Sequence, residues 1–427
     1  MADKVKILVA NRDGDKLIND LLYLDYSFSM SVDDISSTFS ITFYQAITPP
    51  RGEFGFARLN HMRNMVLPGF YIQMWVNDVL TFTGIIQKVS ISVDKNGRTF
   101  SVTGKDTASI LVESYCTYAK DYAGWEPYAI INDLIVQTNF KVRSQVAATI
   151  DSAPLVDDID GVIDLEAALS EVKKVKKPDV SISNVKYDED FKALGVRDQF
   201  KVSYGDTVYS KISELVVGLG FNCIFNPATN VLFVGDLIKD SNKIRGRGIK
   251  KIINNPSQEH RYNNEENNVL SANYSYDISD VYTAVTVYSQ LENGKNIPGT
   301  YSLDDRKGSC LLKIGGERLK KFMAVTVDNE PNPRKIAWQI LEDQIINGQV
   351  LTYEFAGHTQ DGEVWDLNRV VVISDEVFQT SNYYYTPTGY KLFAIVIKSI
   401  QFTYNQNDGP KTTVGLTEER QPYNDTN

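Results

Sequence analysis

The chain has 427 residues, of which 42% are hydrophobic, so it is long enough for roughly three domains of ordinary size. Its 54 acidic and 44 basic side chains give a formal charge of −10, which argues against a general binder of nucleic acid or anionic membranes. Three distant cysteines without a CxxC pair argue against a disulfide scaffold and favour folding in a reducing cytoplasm. We find no secretion signal and no apolar run near the roughly 18 residues of a membrane-spanning helix, and therefore expect a soluble chain.

Residues 1–106 alternate between apolar and polar side chains with a period of two, which predicts β-strands. Tyr26, Phe28 and Met30 fall on one face of such a strand, and Asn77-Asp78 is a turn signal. Roughly seven short strands in about a hundred residues predict a small closed β-barrel domain, because closure removes exposed strand edges.

From about residue 107 the apolar period becomes helical. Pro127 suits the first turn of a helix with an apolar stripe, and a second helix follows Thr207 and stops at Gly220 before a hairpin. These patterns predict a small α/β domain made of residues 107–142 and 198–240.

Residues 143–197 differ in composition and are predicted to be an inserted charged segment or small module, and 241–268 a polar linker. Strands resume in 269–427, with one helix that Asn332 can cap and Gly348 ends. The sequence therefore predicts a mainly β protein with α+β parts, in which two small β-barrel domains flank an intervening α/β domain.

The three histidines lie in different segments, and none stands beside a plausible Cys, Asp or Glu ligand. We expect structural or surface roles for His61, His260 and His358 and predict no metal site. The acidic run at 157–164 lacks the spacing of a calcium loop and is interpreted as solvated charge. Residues 11–15 fail the same test and are predicted to form a turn after the first strand.

No nucleophile elbow, Walker loop or dinucleotide fingerprint occurs in the sequence. A basic cluster lacks interleaved aromatic residues, so we favour a charged surface or a contact with an acidic neighbour over nucleic-acid binding; it consists of Lys243, Arg245, Arg247, Lys250 and Lys251. A glycosidase stays open as an alternative because it needs only two carboxylates, although nothing singles out a pair. We predict no catalytic, cofactor-binding or metal-binding residue, and no cofactor.

Several short sequence segments, taken in order, resemble the Mu-type baseplate hub family of contractile phage tails. They are 67–70, 80–86 and 102–106 early in the chain, 204–207, 218–221 and 231–233 in its middle, and the predicted helix 333–346, Gly357, Gly362, Trp365, Asn368, 370–372 and 395–400 near its end. Lys105 stands where the family usually has arginine. The resemblance covers about two thirds of the chain and skips 143–197 and the polar segment near 240–268.

The resemblance implies a structural baseplate hub and not an enzyme. It implies a homotrimeric ring with two similar barrels per chain, which joins a sixfold tail tube to a threefold central spike. The implied partners are tail tube or tube-adaptor proteins, the spike and baseplate wedge proteins, with DNA only as passing cargo and no membrane anchor. The implied location is the virion tail baseplate, assembled in the host cytoplasm. Alternatives are a tail-associated cell-wall hydrolase, or the hub part of a bacterial injection-system spike.

Overall fold

The computed structural model describes most of the chain. The described residues are 3–19, 23–45, 66–93, 98–150, 185–197, 200–235, 250–254, 269–277, 279–290, 296–305, 322–328, 332–375, 380–381, 383–386, 389–392 and 395–418. His61, His260, the acidic run at 157–164 and the basic cluster up to residue 249 lie outside them. Within the described ranges, no helix is long and apolar enough to cross a membrane.

The first part of the chain is a run of strands, as its period of two predicts. In the described residues before 107 they are β1 (Val5–Ala10), β2 (Lys16–Asn19), β3 (Asp25–Ser31), β4 (Thr38–Gln45), β5 (Tyr71–Val76), β6 (Val79–Val93) and β7 (Arg98–Asp106). Tyr26, Phe28 and Met30 of β3 are buried on one face, which confirms the alternation. Asn77 and Asp78 have φ of 49° and 63° and form the predicted turn between β5 and β6.

Helices dominate the next part of the chain. The elements are α1 (Ser109–Glu113), β8 (Lys120–Asp121), α2 (Pro127–Val136), α3 (Phe140–Thr149), β9 (Val185–Tyr187), α4 (Glu189–Lys192), β10 (Lys201–Val202), α5 (Val208–Gly218), β11 (Asn222–Asn226) and β12 (Val231–Gly235). Pro127 begins α2, and the Thr207 hydroxyl caps α5 by accepting from the Ser210 amide at 3.1 Å. Both predicted helices are confirmed, and their apolar stripes pack into one core.

The boundary of the inserted segment differs from the predicted 143–197. Strand β9 pairs in parallel with β12, and Phe191 of α4 is fully buried in the core of this α/β unit. Residues 185–197 therefore pack with the α/β unit, and residues 143–149 belong to α3, whereas 151–184 lie outside the described residues. Strand β9 has only three residues, which is too short for a period to be recognised.

The last part of the chain returns to strands with one long helix. The elements are β13 (Lys250–Asn254), β14 (Ser271–Tyr276), β15 (Ala284–Gln290), β16 (Asn296–Ser302), a 3₁₀ helix (Leu303–Asp305), β17 (Phe322–Asp328), α6 (Pro333–Asn347), β18 (Gln349–Ala356), β19 (Thr359–Gln360), β20 (Glu363–Val364), β21 (Val370–Asp375), β22 (Thr380–Ser381), β23 (Tyr383–Thr386), β24 (Gly389–Leu392), β25 (Ile395–Asn405) and β26 (Gly409–Glu418). The Asn332 side chain caps α6 as predicted, accepting from the Lys335 amide at 3.1 Å.

Two features of this last part were not predicted. Strand β13 falls inside the predicted linker 241–268 but pairs in parallel with β21. Strands β15, β16 and β17 form a separate three-stranded sheet with its own core against α6. A side chain at Gly299 would collide with the α6 backbone at Arg334, so glycine lets helix and sheet approach closely.

The two strand-rich parts of the chain form one continuous 14-stranded sheet. Its main path is β14-β18-β26-β25-β3-β4-β7-β6-β5-β1-β2, and β13, β21 and β22 branch from β25. Strands β3 and β25 join the two parts, and one hydrophobic core lies on both sides of that pairing. On either side, the next three strand pairings are antiparallel. The fold class is mainly β with several sheets, as predicted.

Candidate functional site

The pairing of β3 with β25, here called the seam, is the point where the N-terminal and C-terminal strands meet. Seven residue pairs lie in antiparallel register, with Phe28 opposite Phe402 at the centre. Tyr26 lies opposite Tyr404, and their rings stack with centroids 5.5 Å apart. Aromatic cross-strand pairs of this kind contribute about 0.2–1 kcal/mol each. The seam is therefore stabilised by side-chain packing as well as by backbone hydrogen bonds.

A buried histidine connects the two sides of the seam. Nε2 of His358 lies 2.6 Å from the Tyr26 hydroxyl, and Nδ1 lies 3.0 Å from the hydroxyl of Thr412 in β26. The His358 ring also packs edge-on against Phe402, with centroids 5.1 Å apart. Burial lowers the pKa of His358 to about 4, so the imidazole is neutral at pH 7. His358 thus has a structural role, which is one of the two expected for it.

The carboxylate of Asp3 ties the start of the chain to the turn that carries His358. It accepts hydrogen bonds from the amides of His358 and Thr359, from the Thr359 hydroxyl at 2.6 Å and from the Asn77 side chain at 2.8 Å. Burial alone would raise the pKa of Asp3, but these hydrogen bonds outweigh it and lower the pKa. Gly357 has φ of +77°, and a Cβ there would lie 2.7 Å from the Asp3 carboxylate. Because glycine has no Cβ, residue 357 leaves room for the Asp3 carboxylate.

Two glycines, in the segments 80–86 and 102–106, make room for a phenylalanine beneath the seam. A Cβ at Gly84 would lie 2.7 Å from the ring of Phe39. A Cβ at Gly104 would lie 2.8 Å from the same ring and would collide with the carbonyl oxygen of Ile85. Phe39 in turn stacks on Phe28, with centroids 6.0 Å apart. These glycines therefore determine the packing directly under the seam.

Asp106, at the end of the segment 102–106, is completely buried. Its carboxylate accepts from the Ser37 amide at 2.7 Å, the Ser36 hydroxyl at 3.2 Å and the Ala108 amide at 3.1 Å. Burial raises the pKa of Asp106 to about 7, and the hydrogen bonds offset only part of that effect. The side chain links the turn between β3 and β4 to the first turn of α1.

The other residues of the resemblance occupy turns and core positions near β25. Trp365 is buried against Phe355, with ring centroids 4.5 Å apart. Gly362 has φ of +78° in the turn between β19 and β20, and the Asn368 amide donates to β25 at 2.9 Å. Lys105 forms an exposed ion pair, so an arginine at this position would face solvent in the same way. The sequence did not single out Asp3 or Thr412.

The residues described around the seam are here called the joint. The side chains of Tyr26, Asp106 and His358 in it hydrogen-bond to other protein groups in the interior. Among the described residues, no group of three or more His, Cys, Asp or Glu side chains is arranged to hold a metal ion.

Solved structures share this arrangement of strands along nearly the whole chain. A tail protein from Neisseria meningitidis MC58 matches with a TM-score of 0.65 at 15% identity, covering 98% of this chain and 97% of that one. The 43 kDa tail protein of prophage MuSo2 from Shewanella oneidensis matches with a TM-score of 0.61 at 12% identity, covering 98% and 99%. The chain has the fold of phage tail proteins.

The likeness to phage tail proteins is one of backbone arrangement. At 12–15% identity, individual side chains are mostly different, so no residue role transfers from those proteins. No family model and no curated protein matches the sequence.

Proposed function

We propose that this chain is a structural subunit of a contractile phage-type tail and, within it, the baseplate hub. The observation that carries the proposal is the seam, which joins two sets of antiparallel strands into one sheet with one core. The phage-tail fold over 98% of the chain supports the same role.

A rigid joint inside each chain suits a hub that must meet two symmetries. In the proposed homotrimer, three chains present six barrel-like sets of strands to a sixfold tail tube, while the trimer itself matches a threefold spike. The two sets within a chain must then keep a fixed mutual orientation. The seam, His358 and Asp3 supply that constraint.

We propose a non-enzymatic role in the virion tail baseplate, after assembly in the host cytoplasm. The partners would be tube or tube-adaptor proteins, the central spike and baseplate wedge proteins. Two groups at the joint with shifted pKa values, Asp106 and His358, are buried and hydrogen-bonded to neighbouring protein groups. That placement is typical of a support for packing and not of groups that meet a substrate.

The oligomeric state is the first test. Native mass spectrometry of the purified 48.1 kDa chain should give a species of about 144 kDa, three times the chain mass. Cryo-electron microscopy of the chain produced together with tube and spike proteins should place the trimer between them. A chain that stays monomeric in the presence of both partners would contradict the hub role.

A zymogram on peptidoglycan tests the non-enzymatic part of the proposal. We expect no clearing. Cleared bands that one carboxylate substitution abolishes would replace the proposal with the hydrolase alternative.

A further inference from the structure

Strand β17 forms one edge of the separate three-stranded sheet. Among the described strands it pairs with β15 alone, in parallel, from Phe322 opposite Ala284 to Asp328 opposite Gln290. A strand turns the N–H and C=O groups of every second residue away from a single partner. In the described part of the chain, no group besides β15 hydrogen-bonds to the backbone of 322–326. The outer side of β17 therefore presents a row of free donors and acceptors.

The opposite edge of the same sheet is protected. It is β16, which carries Pro298 and Gly299 in its middle. Proline has no N–H, and on an edge strand it hinders the pairing of a further strand. Strand β17 has no proline and no charged side chain before Asp328. The sheet thus has one blocked edge and one open edge.

The core between the sheet and α6 is not closed beside β17. Met323 and Val325 pack against this core but are only partly buried. Nε2 of Gln344 in α6 lies 3.5 Å from the sulfur of Met323, which places Met323 on the helix side of the sheet. Val285 and Val287 of the central strand β15 are completely buried. A further strand beside β17 would cover the exposed parts of its two side chains if its own residues on that side were apolar.

The outer face of the sheet determines the chemistry of the other side of an added strand. Beside the open edge, six positions of β17 and β15 form this face, and none of them is charged. They are Phe322, Ala324, Thr326, Ala284, Thr286 and Tyr288. Phe322 is 70% exposed and Tyr288 is 42% exposed. A charge-free face with exposed aromatic rings has the composition of an interface centre.

We propose that the open edge of β17 binds an extended segment of a partner protein as a fourth strand of this sheet. The backbone of that segment supplies the acceptors and donors that match the free row on β17, as in strand addition generally. Its side chains alternate between apolar residues that pack towards α6 and small or β-branched uncharged residues on the outer face. It has no proline at the pairing positions.

The added segment comes from another protein and not from a second copy of this chain. Antiparallel pairing of β17 with itself needs a twofold axis, which a threefold ring does not contain. Pairing with β16 of a neighbouring copy would meet Pro298. This choice of partner rests on the proposed trimer, whereas the open edge does not.

The probe for the test is an acetylated peptide amide of alternating threonine and valine with a lysine at each end, added to the full chain. We expect saturable binding that slows amide hydrogen exchange in 322–328 and leaves exchange in 296–302 unchanged. The same peptide with proline at two central positions is the matched ligand control and should not bind. Unchanged exchange in β17 at the solubility limit of the peptide, or equal binding of both peptides, would overturn the proposal.

A lysine on the edge strand tests the same contact from the side of the protein. Ala324 is exposed on β17, and an edge lysine opposes strand pairing, so Ala324→Lys should weaken peptide binding about tenfold or more. Thr300→Lys places the same charge in the same row of the outer face, on β16, and should bind like the wild type. If Ala324→Lys does not fold, Thr326→Lys at another exposed position of β17 replaces it. Equal binding by the wild type and a folded edge variant would end the proposal.

Native mass spectrometry of the same samples separates this proposal from the hub role. A monomeric chain that binds the peptide would support the open edge and contradict the trimer. A trimer that does not bind the peptide would contradict the open edge alone. A dimer that Ala324→Lys abolishes and Thr300→Lys retains would assign the edge to a second copy and overturn the partner segment.

Discussion

The hydroxyl of Tyr26 and Nε2 of His358 lie 2.6 Å apart, although 332 positions separate them in the sequence. The contact exists because β3 and β25 pair at the seam and bring the two strand sets together. It is buried, and burial favours the neutral form of the imidazole.

Acid should weaken the joint through His358. The pKa of His358 is about 4 in the folded chain, against an ordinary value of about 6.5, so the unfolded chain binds the proton first as pH falls. This contribution to stability is complete above pH 6.5 and is lost towards pH 4. His358→Gln removes the titration, so between pH 7 and 4 the wild type should lose up to about 3 kcal/mol more than the variant.

Urea unfolding of both proteins at several pH values in that range measures the difference. Other titrating groups affect both proteins alike and cancel. Parallel pH profiles would show that His358 is not held neutral in the folded chain.

The contribution of Asp106 to stability should change with pH in the opposite direction. Its pKa is about 7 in the folded chain, so the folded state holds the proton more tightly than the unfolded one, and this contribution falls as pH rises from about 4 to 7. Asp106→Asn places an NH₂ group against N–H donors and should destabilise by about 1–3 kcal/mol. The loss in the free energy of unfolding of Asp106→Asn relative to the wild type, measured with urea, should be larger at pH 5 than at pH 8. Glu214→Gln, at an exposed ion pair, should show almost no effect at either pH.

Substitution of Gly104 should be far more damaging than that of a glycine with open space around it. Gly104→Ala would force Cβ into the Ile85 carbonyl and the Phe39 ring, and should cost about 3 kcal/mol or more. Gly218 lies at the end of α5, where an added Cβ would meet nothing within 4 Å, so Gly218→Ala should leave stability unchanged or raise it by up to about 1 kcal/mol. Thermal and urea unfolding of both variants decide the point, and equal effects would contradict the close packing under the seam.

The centre of the seam should be sensitive to loss of volume. Phe402 is completely buried, and Phe402→Ala should cost about 3–5 kcal/mol and speed amide hydrogen exchange in β3 and β25. Val350→Ala, at a 48% exposed position in β18, should cost less than about 1 kcal/mol. If exchange accelerated only in β25, the two strands would not open as one unit.

Local sequence patterns predicted the helices and strands themselves better than the pairing between strands. The helices that begin near Pro127 and after Thr207 and Asn332 were predicted because caps, proline and apolar stripes act within a few residues. The pairing of β3 with β25 was not predicted, because a period of two shows which face of a strand is buried but not which strand lies beside it.

The sequence predicted no residue of the candidate site as a site residue, although three of them carried the resemblance. Gly84, Asp106 and Gly357 lie within the segments that carry the resemblance. The two glycines allow close packing, and Asp106 is a buried, hydrogen-bonded carboxylate. Asp3 and Thr412 carry no local signal, because their importance comes from contacts with His358 and its turn.

The seam also determines when the sheet can be completed during synthesis. Strand β3 leaves the ribosome early, whereas β25 begins only at Ile395, and translation at about 5–20 residues per second separates them by roughly 20–70 s. Throughout that interval the β3 edge that will face β25 has no permanent partner, and an open edge is a template for aggregation. A nascent chain of this protein therefore exposes that edge until β25 has been translated, and a chain that stops before Ile395 never acquires the partner of β3.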